Sequence, residues 1–260
     1  PRPGEGARVS AAAADEGRRR RLRGFLRREL GPPGHRSPFD GRIGSRREVA
    51  FAAMPLKPLH DAARAACGAT VNDAVICAVA GGIRRWLEAR HGRLGTIRLR
   101  VPVSLHHEGD DAGNRDSFFS LAVPLGEPDA LARLRAVSAA TATRKAAGDA
   151  ETMDRVTRDL ARVSPALEAF AARVEASPRA FAVAVSNVVG PRSPVTVRGA
   201  AVTRLYSLAE IGQRHALRVG ALSLAGTLFL GLCADPELVE DLQVMADGAE
   251  AEARTLIAAA

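Results

Sequence analysis

The period of apolar positions changes several times along the chain, and each change predicts an element. In TVNDAVICAVAGGIRRWLEARH, residues 70–91, Val71, Val75, Val79, Ile83 and Trp86 recur at three- or four-residue spacing, the period of one helix face. Thr70 precedes that run and Asp73 follows three residues later, which is the spacing of a capping box. KPLHDAARAAC (57–67) predicts a shorter helix closed by Gly68. RREVAFAAMPL (46–56), TIRLRVPVSL (96–105) and SFFSLAVPL (117–125) have the length and alternation of strands. A helical texture returns over residues 129–176, broken near Gly148 and at Ser164-Pro165. FAVAVSNV, PVTVRGAAVTRLYSL, HALRVGALSLAG and TLFLGLCAD, between residues 181 and 235, then predict three or four strands, and Pro236 is expected to open a last helix. Helices and strands mix without strict βαβ alternation and without an internal repeat. The expected fold class is α/β, a layered sandwich with a mixed β-sheet covered by helices.

Composition changes this picture at one end only. Residues 1–50 carry 13 Arg against 6 Asp and Glu, so +7 of the chain's +8 lies there and the other 210 residues are near neutral. Residues 1–17, rich in Pro, Gly and Ala, are expected to be disordered. RRRRLRGFLRREL (18–30) predicts a short basic amphipathic helix, ended by GPPGHRSP. Residues 1–36 are therefore assigned to a basic arm and residues 37–260 to one α/β domain. The first reading of the arm is a solvated linker helix. The second is peripheral membrane or lipid-droplet contact through Arg18, Arg19, Arg20, Arg21 and Phe25. Nucleic acid is disfavoured, since no nucleic-acid-binding motif and few aromatics accompany the arginines. No apolar run is long enough to cross a bilayer and no signal pattern opens the chain. Cys67, Cys77 and Cys233 match no zinc spacing and are expected to be buried in a reducing, cytoplasmic compartment.

SPFDGRIGSRREVAF (37–51), GATVNDAVICAVAGGIRRWL (68–87), VPVSLHHEGDDAGNR (101–115) and SNVVGP (186–191) occur in this order, with SLAGTLFLGLCAD before the closing helix. Together they resemble the C-terminal half of the bacterial wax ester synthase/acyl-CoA:diacylglycerol acyltransferase family, in the chloramphenicol-acetyltransferase-like superfamily. The resemblance implies two similar α/β halves around a tunnel. It implies acyl transfer from acyl-CoA to diacylglycerol or a long-chain alcohol, with acyl-CoA as co-substrate and no other cofactor or metal. It also implies that the catalytic HHxxxDG motif belongs to the N-terminal half, so this chain alone is expected to be inactive. The competing reading is a non-catalytic lipid-surface or scaffold module derived from the same family.

The pair His106-His107, with Asp111 four residues beyond it, superficially matches that catalytic motif. Ala112 stands where the motif needs Gly, and the pair occupies a variable position of the family's strand-end loop. His107 therefore reads as a loop histidine rather than a general base. The tunnel-lining candidates implied by the resemblance are Asn72, Asp73, Ser186, Asn187, Gly190, Pro191, Asn114 and Arg115. Each also has a local reading. Asp73 caps its helix whether or not Asn72 faces a tunnel. Ser186 and Asn187 either offer donors to a thioester carbonyl or close a strand-end turn. Arg115 suits a structural ion pair better than a CoA phosphate. Asp40 and Arg42 replace the Asn and Pro of the family's turn at residues 39–44.

Overall fold

The computed structural model describes residues 37–92, 95–104, 116–164, 180–212 and 214–259, parts of the arm (16–17, 19–20 and 22–29) and residues 166, 169, 173 and 176–178. Helix α1 covers residues 22–29, with 19–20 also helical. The elements β1 (Glu48–Pro55), α2 (Leu56–Cys67), α3 (Val71–Arg90), β2 (Thr96–Ser104), β3 (Asp116–Pro124), α4 (Ala130–Ala146) and α5 (Asp149–Val163) follow. Then come β4 (Val183–Val188), β5 (Val195–Val197), β6 (Ala200–Val202), β7 (Leu217–Leu224), β8 (Thr227–Ala234) and α6 (Leu242–Ala258). The expected disorder of residues 1–17 and the end of the helical block past residue 164 fall largely outside the described residues.

Six strands form one mixed sheet in the order β1-β8-β7-β4-β2-β3. β2, β4 and β7 are parallel, and the other pairings are antiparallel. Alternation sends Ala50, Ala52, Met54, Leu99, Val101, Leu121, Val185, Val219, Leu230 and Leu232 to one face, into a single buried cluster with α2, α3, α4 and α6. α3 lies deepest. Every residue from Asp73 to Ile83 is buried, so this helix is enclosed all round rather than amphipathic with a single stripe. Two glycines permit that enclosure, because a Cβ at Gly82 would overlap the Met245 carbonyl of α6 and one at Gly81 would overlap the Glu252 side chain. The local signals at its start held. Gly68 takes positive φ at the end of α2, with Gly68 and Ala69 N–H donating to Arg64 and Ala63 carbonyls. Thr70 and Asp73 form the predicted capping box.

Several expectations need correction. Residues 194–208 are not one strand. They make a β5–β6 hairpin, turned by Arg198 and Gly199 at positive φ, and then an extended segment across the second sheet face. Ser207 of that segment leaves no room for side chains at Gly220 and Gly231, which explains both glycines within otherwise apolar strands. The last helix starts at Leu242, not at Pro236. Asp235, fully buried, accepts Gly44 N–H and Glu237 N–H through its carboxylate and takes Leu238 and Val239 N–H on its carbonyl. It thereby holds residues 236–239 in a turn and ties them to the turn at residues 37–44. Cys67 is exposed, while Cys77 and Cys233 are buried, and all three are free thiols.

The arm is corrected too. Phe25 is buried, at 2% exposure, and cannot insert into a lipid surface as packed. Glu29 accepts the backbone N–H of Ser120 on edge strand β3 and pairs with Arg144 at 3.0 Å. Arg144 in turn donates to the Ser120 carbonyl. The helix is thus docked on the domain rather than solvated.

Candidate functional site

Register places the sequence-predicted residues. Pro55 and Leu224 both pair with Thr227, so the ends of β1 and β7 and the start of β8 share one end of the sheet. β4 and β2 run parallel to β7, which brings Val188 and Ser104 to that same end, with the start of β3 opposite Ser104. α6 runs alongside β1, because Leu242 N–H bonds Glu48 and Ala53 N–H bonds Glu250. α3 runs against α6, since Trp86 Nε1 donates to the Glu240 carbonyl at 2.7 Å while Cys77 lies beside Glu252. The first turn of α3, with Asn72 and Asp73, therefore stands at the carboxyl end of the three parallel strands, the end where α/β sheets place their ligands.

Asn72, Asp73, Ser186, Asn187, Gly190 and Pro191 thus share one end of the fold. Their roles there differ. Asp73 Oδ2 accepts Thr70 N–H at 2.9 Å and Thr70 Oγ1 at 2.8 Å, while its buried Oδ1 has no partner among the described residues. Asn72, half-buried beside it, is outside the capping box. Alternation sends Asn187 to the helix side of β4 and Ser186 to the opposite side, both half-buried. Gly190 is architectural. Its N–H donates to Ser223 Oγ at 3.0 Å and a Cβ there would overlap the Ser223 carbonyl. The Pro191 carbonyl accepts Ala225 N–H, pinning the two-residue β7–β8 turn, where Ala225 and Gly226 have the positive φ of a type I′ hairpin. Val188 and Val189 are exposed beside these groups, at 52% and 78%. Chemically, the arrangement offers amide and hydroxyl groups and a helix N-terminus to an electron-rich ligand atom.

His106, His107, Asp111, Asn114 and Arg115 lie outside the described residues. They fall between Ser104 and Asp116, whose backbones are paired at this same end. His215 is a different matter. It is buried at the opposite end, stacked on Phe181 with ring centres 3.9 Å apart, and its Nε2 lies 2.9 Å from the Ala176 carbonyl. Burial, with only partial compensation from hydrogen bonds, holds its pKa below the ordinary histidine value, which suits packing rather than catalysis.

Two buried ionic groups escaped the sequence reading. Arg133 of α4 pairs with Glu252 of α6 inside the helical layer. Arg28, Glu29, Arg98, Arg144 and Asp149 form a second cluster beneath the arm. Partners up to 121 residues apart leave no local signal.

The comparisons agree with this architecture. The family model described as the WS/DGAT C-terminal domain matches residues 112–256. A Mycobacterium tuberculosis protein described as a "probable diacyglycerol O-acyltransferase" is 28% identical over 228 residues, covering 85% of this chain and 49% of its own length. A second M. tuberculosis protein with a diacylglycerol O-acyltransferase description is 31% identical over 216 residues, covering 79% and 42%. The chain thus spans about half the length of such relatives. Among solved structures, the wax ester synthase/diacylglycerol acyltransferase of Marinobacter aquaeolei VT8 shares the fold with TM-score 0.68 at 22% identity, over 91% of this chain and 55% of that one. A polyketide synthase condensation domain shares it with TM-score 0.57 at 13% identity, over 96% and 49%. The chain belongs to the wax ester synthase/diacylglycerol acyltransferase (WS/DGAT) family, and the matched region is that family's C-terminal domain.

Proposed function

We propose that this chain is the C-terminal half of an O-acyltransferase that moves an acyl group from acyl-CoA to diacylglycerol or a long-chain alcohol. The observation that carries the reading is the gathering of Asn72, Ser186 and Asn187 at the carboxyl end of β2, β4 and β7, in a chain whose residues 112–256 match the WS/DGAT C-terminal domain. The general base belongs to an HHxxxDG motif on the complementary half. That histidine takes the proton from the acceptor hydroxyl, the oxygen attacks the thioester carbonyl, and the tetrahedral intermediate collapses with CoA thiolate leaving and taking up the proton. This half contributes one tunnel wall. Asn187, or Asn72 at the positive end of α3, donates to the oxygen on which charge develops.

The test joins the chain to a half carrying HHxxxDG and measures ester formation from acyl-CoA alongside thermal unfolding. Asn72→Ala and Asn187→Ala should each lower turnover by about 10-fold or more while the melting temperature stays nearly constant. Full activity in both variants would remove them from the site. The isolated 260-residue chain should show no turnover, and robust turnover abolished by His107→Ala would overturn the assignment of the base to the other half.

A further inference from the structure

A cleft of about 480 Å³ opens between α1 and the end of α4, with Arg20, Gly24 and Arg28 on one wall and Lys145 through Gly148 on the other. Gly24 and Arg28 are four apart and so stack on one face of α1, and Arg20 lines the same cleft. Arg28 is not a loose surface cation. Its Nε donates to Asp149 Oδ2 at 2.8 Å and its Nη2 to Oδ1, and Asp149 is fully buried and also held by Arg144 at 2.8 Å. Burial resists the ionisation of Asp149, but hydrogen bonds from Arg28 and Arg144 outweigh it and keep the carboxyl below its ordinary pKa. The guanidinium plane is thereby fixed, and its remaining nitrogen, Nη1, lies over Gly24, where even a methyl group would stand 3.1 Å away. Glycine weakens a helix by roughly 1 kcal/mol relative to alanine. Here its effect is to keep the free edge of an anchored guanidinium open to the cleft.

Among the residues lining the cleft, Arg20, Arg28 and Lys145 are cationic and none is acidic. Asp149 and Glu29 serve Arg28, Arg144 and Arg98, and the Glu151 carboxylate stands at the rim beside Gly148. The Arg20 guanidinium, the remaining Nη1 of Arg28 and the Lys145 ammonium around one open cleft match a tetrahedral dianion better than a single carboxylate.

We propose that this cleft is a phosphate-binding site, taking a phosphate monoester or diphosphate either free in solution or at the head of a lipid. The inference does not depend on the acyl-transfer reading. It is tested on the whole chain, at one fixed ionic strength because exposed charges are screened, by titration with inorganic pyrophosphate and by flotation with vesicles containing phosphatidic acid. Saturable binding is expected, weakened ~10-fold or more in Arg20→Ala/Lys145→Ala, unchanged in Arg27→Ala, which removes an arm cation that does not line the cleft, and tightened in Glu151→Gln. Pyrophosphate binding assigns a soluble phosphate, whereas vesicle binding alone, with the same variant pattern, assigns a lipid headgroup. No saturable binding of either probe, or equal losses in Arg27→Ala and the double variant, overturns the proposal.

Discussion

At the residue scale, the helical layer is organised around an ion pair that apolar periodicity does not announce. Arg133 and Glu252 are both almost fully buried, Arg133 Nη1 also donates to the Glu127 carbonyl, and Arg85 reaches Glu252 at 3.5 Å. Cys77 lies beside them, and burial followed by the Glu252 charge pushes its thiol up to about 12. Removing one partner leaves the other charge stranded in the core. Glu252→Leu should therefore cost about 3–5 kcal/mol, whereas Arg133→Leu/Glu252→Leu should recover a large part of that loss. Urea unfolding of the two variants decides the point, and additive losses would show that the residues do not act as a pair.

At the element scale, α1 protects an edge. β3 is the outer strand of the sheet, and Glu29 and Arg144 satisfy the outward N–H and carbonyl of Ser120. Exposed edges of this kind invite pairing with other chains. The anchor is Asp149, whose folded pKa is depressed by Arg28 and Arg144 despite burial. Its contribution is complete above the unfolded value of about 3.9 and is lost as pH falls through the lower folded value. Protection of the amides of residues 22–29 from hydrogen exchange, relative to their intrinsic rates, should fall below about pH 4, and Asp149→Asn should produce the same loss of protection at neutral pH. Unchanged exchange in that variant would place the anchor elsewhere, with Glu29 and Phe25.

At the scale of the whole molecule, the end of the sheet that carries Asn72 and Asn187 also exposes Val188 and Val189. On the proposed two-half arrangement, these valines meet the complementary half. Val189→Asp should leave the melting temperature of the isolated chain within about 1 kcal/mol equivalent of a surface change. It should reduce association with that half supplied as a separate chain, measured by co-elution. Equal co-elution would move the seam away from this strand end.

The local grammar of the chain was sufficient for most elements. Thr70 and Asp73 specify a capping box by themselves, Gly68 ends α2 because glycine takes its positive φ without strain, and the alternation in β1 and β2 follows from one face being apolar. Segments whose conformation depends on distant partners were not legible. Residues 194–208 are rich in β-formers, yet Ser207 had to cross two glycines on strands β7 and β8, and Pro236 had to yield to the buried carboxylate of Asp235. The arm gave the same lesson in charge, since nothing local marks Arg28 as the partner of buried Asp149 or Glu29 as the acceptor of the Ser120 N–H on the edge of β3. By itself the sequence determined the α/β class, the caps and turns, and, through ordered motifs, the family. Only the tertiary structure decided which polar residues share the carboxyl end of the sheet and which charges are buried as pairs, because both depend on contacts between residues remote in the chain.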